Sequence, residues 1–176
     1  ETGVRTIDHG NLIDRETALM MASKNVYLVP TLITYDALDR NGSELGLPQV
    51  SIEKLQRVKD HGQHAINHCR EAGVKIGFGT DLLGALQSEQ SAGLRIQNEV
   101  DSARDVLVSA TSVNAEILQM KNKIGIIKEN AFADLIILNN KVFVPIVNSS
   151  YDGQALEVYE TAMPNHIILP FRESSY

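Results

Sequence analysis

The chain has 176 residues, of which 43% are apolar, 22% charged and 5% aromatic, a composition typical of globular proteins that excludes disordered and collagen-like chains. Its net charge of -6 is spread without a long block of either sign, which argues against a nucleic-acid partner, and no apolar run reaches the ~18 residues of a membrane span. The one cysteine, Cys69, cannot form an intrachain disulfide and fits a reducing compartment, so we expect a cytoplasmic location.

The first part of the chain predicts a strand, a helix and a second strand. Branched residues at 4–7 form a short strand whose C-terminal end carries His9. Asp14 is a suitable N-cap, and apolar residues recur at helical spacing up to about Lys24. The apolar run at 26–32 predicts a second, buried strand.

The next part predicts a loop, a long helix and a third strand. Residues 36–50 are rich in Asp, Asn, Gly, Ser and Pro, which indicates a loop long enough to be functional. Ser51 is the expected N-cap of an amphipathic helix that ends near Ala72, with Gly73 as its stop. A strand then follows at 74–81. Strands that alternate with helices in this way favour consecutive parallel βα units.

The last part of the chain changes in character. A polar loop precedes two or three helices between about 90 and 120, the last of them at 111–120. Short strands separated by turns are predicted at 124–127, 133–138, 142–144 and 166–169. We therefore expect a boundary near residues 121–123, between an α/β portion (1–122) and a mostly β portion (123–176).

Two side chains with suitable chemistry stand at the ends of predicted parallel strands, where the reactive groups of α/β folds collect. His9 ends the first strand and Asp81 the third. A neutral imidazole and a carboxylate can hold a divalent metal such as zinc, and a carboxylate can also accept a proton from water. Taken alone, the pair is weak evidence of a site, because a lone histidine at a strand end is more often a hydrogen-bonded structural residue, and an aspartate after Gly-Thr commonly caps a helix or forms a turn.

A set of short motifs occurs in a fixed order along the chain. They are Ile7-Asp8-His9-Gly10, Leu28-Val29-Pro30-Thr31-Leu32, Ala72 through Asp81, Ala110-Thr111-Ser112 and Ala133-Asp134-Leu135-Ile136. Their order and spacing resemble the C-terminal part of a metal-dependent amidohydrolase. The resemblance is to the branch of imidazolonepropionase-like enzymes, Xaa-Pro or Xaa-Arg dipeptidases and ochratoxin-type amidases, and it spans roughly residues 3 to 139.

The resemblance implies the last three βα units of a (β/α)8 TIM-type barrel, followed by part of a small flanking β-sandwich domain. In such enzymes a His-x-His pair, a bridging lysine and further histidines hold one or two metal ions. By motif, His9 corresponds to the sixth-strand metal ligand and Asp81 to the eighth-strand aspartate. The first five strands, with most of the ligands, are then expected upstream of residue 1, and this missing part of the barrel is a required partner.

The activity implied is hydrolysis of the C–N amide bond of a small dipeptide-like or N-acyl amino acid substrate, with zinc as the expected metal. Asp81 would accept a proton from the attacking water and return it to the leaving amine. The alternatives are a ring-opening imidazolonepropionase-type hydrolase, and a noncatalytic fragment or degenerate paralogue with only a packing role. The chain alone is expected to be inactive, and homo-oligomer formation stays open.

Other candidate residues are weaker. Tyr35, expected in the loop after the second strand, is a candidate for substrate binding, although a rim tyrosine without that role is the more common case. Arg40 is a similar case: it could bind a substrate carboxylate, but a surface charge without that role is the more common case. His61, His64 and His68 have a helical spacing that can bind metal, but they flank the apolar face and are expected to be solvated.

Overall fold

The structure is a computed structural model that describes residues 3–132, 137–138, 141–146, 153, 156–157, 160–161 and 167–172. The chain forms two compact units, Glu1–Lys121 and Asn122–Tyr176. The candidate site lies wholly within the first unit.

The first unit begins with a parallel strand pair joined by a helix, as predicted. Strand β1 (Thr6–Asp8) pairs in parallel with β2 (Tyr27–Val29). Helix α1 (Arg15–Ser23) connects them, and the Asp14 carboxylate caps it by accepting a hydrogen bond from Thr17 N at 2.8 Å. A short parallel pair with a crossover helix is a βα unit, which directs both strand ends to one edge.

The segment predicted to be a loop from residue 36 instead begins as a helix. Helix α2 (Leu32–Asn41) buries Ile33 and Ala37 on its inner face, so the loop prediction is wrong for residues 36–41. The helix is stabilised by an ion pair between Asp36 and Arg40 at 2.9 Å. Composition misleads here because most of the residues at 36–41 are polar, although Ala37 among them is fully buried.

Helix α3 (Gln49–Glu71) is the long amphipathic helix that the spacing predicts. It begins at Gln49, two residues before the expected N-cap Ser51, and its N-cap is Pro48 in the extended conformation. Gly73, with φ 81°, ends it in the left-handed conformation. No membrane-spanning helix is present among the residues that the structure describes.

The third predicted strand, 74–81, is an extended segment with a single bridged pair, Ile76 with Leu28. It nevertheless runs along β2 with a parallel hydrogen-bond pattern. Leu28 N donates to Lys75 O at 3.1 Å, Gly77 N to Leu28 O at 2.8 Å, and Gly79 N to Pro30 O at 3.3 Å. Three parallel segments therefore lie side by side, in the order β1, β2 and 74–81.

Short helices follow this segment. They are a 3₁₀ helix (Gly84–Glu89), α4 (Ala92–Gln97), α5 (Ala103–Val108), a π-helical stretch (Ser109–Val113) and α6 (Asn114–Ile117). The helix predicted at 111–120 is thus only the end of a longer helical run, and that boundary prediction is wrong. The run begins at Ala103 because the Ser102 hydroxyl caps it, accepting from Asp105 N at 3.1 Å.

The second unit contains a three-stranded sheet. Strand β4 (Lys141–Ile146) pairs antiparallel with β3 (Ile137–Leu138) and parallel with β5 (Ile167–Arg172). The strands predicted at 142–144 and 166–169 are confirmed within the described residues, whereas 133–136 and 166 lie outside them. The strand predicted at 124–127 is wrong, because Gly125 has φ 65° and the segment turns instead.

The core of the first unit lies on one face of the parallel segments. Leu28, Ile66 and Cys69 are at most 1% exposed and form its centre, with Ala18 of α1 and Val74 around them. Burial raises the pKa of the Cys69 thiol to about 11. The opposite face is free to carry polar side chains.

Candidate active site

His9 follows directly after β1 and occupies an uncommon backbone conformation. Its φ is 68°, in the left-handed region, and its N–H donates to Val29 O at 3.0 Å. Gly10, with φ 62°, continues the turn, and a Cβ there would lie 2.5 Å from a methyl carbon of Leu28. A non-glycine residue in this region costs free energy, so the surrounding structure has to hold it there.

Asp81 ends the third parallel segment in the same kind of conformation. Its φ is 50°, and its carbonyl oxygen accepts a hydrogen bond from the Thr34 hydroxyl at 3.1 Å. Thr34 belongs to the first turn of α2 and is 8% exposed. The backbone of Asp81 is thus fixed by a neighbouring element.

These two turns bring the side chains of His9 and Asp81 together. His9 Nε2 lies 3.8 Å from Asp81 Oδ2, and the two side chains are 43% and 53% exposed. This distance is too long for a direct hydrogen bond. On the other side of the ring, His9 Nδ1 and the Thr31 hydroxyl are hydrogen-bonded at 2.6 Å.

Both side chains line an open cavity of about 410 Å³ on the face opposite the core. Thr6 and Asp8 of β1 contribute polar groups to it, while Ile7 between them packs against the core. Its apolar wall is formed by Val29, Phe78, Ile117 and Leu118. A cavity with an apolar wall and a few convergent polar groups is typical of small-molecule sites.

Tyr35 lies on α2, not in the loop that the sequence predicts. Its ring meets the His9 ring edge to face, with centroids 6.2 Å apart and planes at 88°. It lines a separate small cavity of about 50 Å³, with Lys59 and Glu99, beside the His9–Asp81 cavity. Burial, and then the negative charge of Asp81, raise the pKa of the Tyr35 phenol, which therefore keeps its proton at neutral pH.

Sequence reasoning did not single out Asn114, which anchors the segment leading to Asp81. Phe78 N donates to Asn114 Oδ1 at 3.0 Å, and Asn114 Nδ2 donates to Phe78 O at 2.8 Å. One amide thus satisfies both backbone groups that face away from β2. A Cβ on Gly77 would lie 2.6 Å from Asn114 Oδ1. The glycine before Phe78 is therefore the sequence feature that could have indicated a close neighbour at this point of the strand.

The remaining candidates lie away from the cavity. The ring nitrogens Nδ1 of His61, His64 and His68 are hydrogen-bonded to backbone carbonyl groups at 2.6, 3.1 and 3.2 Å. Arg40 pairs with Asp36 at 2.9 Å and with Glu89 at 2.5 Å. Its guanidinium is therefore already engaged by two carboxylates.

The donor set at the cavity fits part of a metal site. Ligand atoms bind zinc at about 2.0–2.2 Å, so two ligands of one ion lie at most about 4.2 Å apart, and the 3.8 Å between His9 Nε2 and Asp81 Oδ2 is within that limit. Two protein ligands leave a divalent ion weakly held. Within the described residues, no cluster of three or more His, Cys, Asp or Glu side chains is arranged to bind a metal.

Parallel βα units with a histidine and a carboxylate at strand ends beside one cavity fit the arrangement found in TIM-barrel-type enzymes. The profile of the Amidohydrolase family matches residues 1–162, and the chain belongs to this family, which confirms the resemblance seen in its sequence motifs. Members of the family are hydrolases that act on C–N bonds, and they are generally metal-dependent.

Individual relatives are similar over only part of their length. A solved amidohydrolase is 53% identical, with a TM-score of 0.73, and the match covers 77% of this chain and 33% of that one. A solved prolidase complexed with N-methylphosphonate-L-proline is 45% identical, with a TM-score of 0.72, covering 75% of this chain and 32% of the prolidase. The 5-methylthioadenosine/S-adenosylhomocysteine deaminase of Symbiobacterium thermophilum is 29% identical, covering 61% of this chain and 27% of the deaminase. The chain thus spans about a third of the length of the solved relatives.

Proposed function

We propose that the intact protein is a metal-dependent hydrolase that cleaves the C–N amide bond of a dipeptide-like or N-acyl amino acid substrate. The observation that carries this proposal is the approach of His9 Nε2 and Asp81 Oδ2 to 3.8 Å beside an open cavity. Membership of the amidohydrolase family and the similarity to a prolidase support it. An amide of proline is therefore the first substrate class to test.

His9 and Asp81 have different roles in this proposal. When bound, a divalent metal, for which zinc is the first expectation, supplies Lewis-acid activation of water and of the substrate carbonyl. His9 would hold the metal through Nε2, and Asp81 would be a second ligand beside the same cavity. The Asp81 carboxylate takes a proton from the attacking water and gives it to the leaving amine. Its 53% exposure allows contact with both.

Tyr35 is proposed to act at the edge of the site as a substrate-binding residue. Its raised pKa keeps the phenol neutral, so its hydroxyl can donate a hydrogen bond to a substrate oxygen. Because its ring touches His9 from outside the cavity, it can contact only a group that projects beyond the reacting bond. The expected consequence is an effect on substrate affinity and not on the proton transfer.

We further propose that residues 1–122 supply the last three βα units of a (β/α)8 barrel, and residues 123–176 part of a flanking β-sandwich domain. The remaining metal ligands then belong to a part of the protein beyond this chain. This is supported by the coverage of about a third of the solved relatives and by the incomplete donor set of the described residues. The isolated chain should accordingly bind zinc only weakly.

The test is Asp81→Asn in the intact, zinc-loaded protein, assayed with a panel of Xaa-Pro dipeptides and N-acyl amino acids. General acid–base groups contribute about 100- to 10,000-fold to a rate, so kcat should fall by at least about 100-fold. The matched control is Asp60→Asn, an exposed aspartate on α3, which should retain full activity. A variant with Asp81→Asn that hydrolyses the same substrates at the normal rate would refute the role of this residue.

The same panel separates the alternatives. S-adenosylhomocysteine is included because a deaminase is among the relatives, and an imidazolone propionate tests ring opening. If the protein releases ammonia or opens a ring and does not cleave the amides, the proposed substrate class is wrong. The roles proposed for His9 and Asp81 would still stand. A zinc-loaded protein that turns over nothing in the panel would favour a noncatalytic role.

A further inference from the structure

The residues at the junction between β2 and α2 form hydrogen bonds with both candidate site residues, His9 and Asp81. Within six consecutive positions, Val29 O accepts from His9 N at 3.0 Å, the Thr31 hydroxyl bonds His9 Nδ1 at 2.6 Å, and the Thr34 hydroxyl donates to Asp81 O at 3.1 Å. We propose that Thr31 and Thr34 are positioning residues that hold His9 and Asp81 in their mutual geometry. This inference rests on the proposed function.

Thr31 controls which ring nitrogen of His9 faces Asp81. A neutral imidazole has one N–H and one lone pair, so a ring that binds metal through Nε2 carries its proton on Nδ1. That N–H donates to the Thr31 hydroxyl, and the ring is then fixed with Nε2 directed to Asp81 Oδ2. Thr31 is 4% exposed and β-branched, so its own side chain has little freedom to move.

Thr34 acts on the backbone of Asp81. The left-handed φ of 50° is uncommon for a residue with a side chain, and a buried hydroxyl bonded to the Asp81 carbonyl holds the peptide in that orientation. Thr34 N also donates to Thr31 O at 3.1 Å, so one turn of the chain carries both hydroxyl groups. A displacement of this turn would move both site residues together.

Thr31 also lies in a sequence motif to which the catalytic roles assign no residue. Thr31 belongs to the ordered motif Leu28 to Leu32, which contains no titratable group that could act in catalysis. Removing the Thr31 hydroxyl would not remove a metal ligand or a proton acceptor. Its effect on the site would therefore be indirect, through the orientation of His9.

The experiment compares Thr31→Val and Thr34→Val with Thr31→Ser and Thr34→Ser in the intact protein. Valine keeps the shape and removes the hydroxyl, whereas serine keeps the hydroxyl. The control is Thr17→Val, an exposed threonine on helix α1 that does not line the cavity. Zinc affinity is measured by competition with a chelator, hydrolysis with an Xaa-Pro dipeptide, and stability by urea unfolding.

Loss of an outer partner of a metal-binding histidine lowers metal affinity by about 10- to 100-fold, and we expect this loss for Thr31→Val. Thr31→Ser keeps the hydroxyl and should bind zinc with nearly the affinity of the unmodified protein. Thr34→Val should lower kcat more than it changes KM, with recovery in Thr34→Ser. Serine variants as impaired as the valine variants, or valine variants with unchanged zinc affinity and kcat, would overturn the inference. Failure of the proposed function is distinguishable, because His9→Ala and Asp81→Asn would then also leave zinc affinity and hydrolysis unchanged.

Discussion

The contact between Asn114 and the segment leading to Asp81 makes a quantitative prediction for stability. Asn114→Ala removes two hydrogen bonds, at 3.0 and 2.8 Å, from the backbone of Phe78. A typical hydrogen bond contributes about 1 kcal/mol net, so the free energy of unfolding should fall by about 2 kcal/mol. Gly77→Ala places a Cβ 2.6 Å from Asn114 Oδ1 and 2.7 Å from Ile117 Cδ1, and such overpacking also costs about 1–3 kcal/mol.

The two changes are coupled because they act on the same contact. Independent sites would give a combined loss of about 4 kcal/mol, the sum of the two single losses. Removing the Asn114 side chain, however, also removes one of the two atoms that the new Cβ on Gly77 meets. We therefore expect the double variant to lose at least about 1 kcal/mol less than the sum, a coupling within the usual range for residues in contact.

The assay is urea unfolding of the intact protein, together with hydrogen exchange of the peptide that contains Phe78. Asn114→Ala should accelerate exchange at Phe78 N, because its hydrogen-bond acceptor is lost. The matched control is Asn98→Ala, an exposed asparagine directly after α4, which measures the change of residue type alone. Losses that add to within about 0.5 kcal/mol, or unchanged exchange at Phe78, would refute this account of the Asn114 contact.

Two further predictions concern backbone strain and pH. Gly10→Ala should destabilise the protein by more than Gly46→Ala. Both glycines have a left-handed φ (62° and 80°), but only at Gly10 would the new Cβ meet a methyl carbon of β2, at 2.5 Å. Equal unfolding midpoints in urea would contradict this prediction. Hydrogen bonds from Lys121 and then Lys75 lower the pKa of Glu116 from 4.5 to about 2. Because the folded pKa is lowered, Glu116→Gln should be less stable than the unmodified protein at pH 7, and the difference should shrink as the pH falls from about 4.5 to about 2. A stability difference that does not change over this pH range would show that these hydrogen bonds to the Glu116 carboxylate contribute nothing to the free energy of unfolding.

Local signals made part of the fold predictable. The Asp14 cap of α1 and the Gly73 stop of α3 depend on a few neighbouring residues, and both are present as predicted. Helix α2 depends on distant residues instead. Its acidic side chains Asp36 and Asp39 bind Lys59 of α3 at 2.8 and 3.3 Å, an interaction that local composition cannot reveal.

The candidate site was predictable in its position but not in its detail. Strand ends in parallel βα units converge on one edge, so the sequence predicts that His9 and Asp81 approach each other, and their side-chain atoms do so at 3.8 Å. The left-handed turns that carry these residues, and the bonds from Thr31 and Thr34 that hold them, arise only when β2 and α2 have packed beside them. They are tertiary interactions without a sequence pattern of their own.

The π-helical stretch Ser109–Val113 sets the phase of the helix that follows it. A π turn holds more residues than an α-helical turn, and each residue of an α-helix advances the direction of the side chains by about 100°. Helix α6 begins at Asn114, immediately after this wide turn. The direction of the Asn114 amide toward Phe78 therefore depends on the number of residues in the turn as well as on their identity. The number of residues in this stretch is thereby linked to the geometry at Asp81, which lies 28 positions before Ser109 in the sequence.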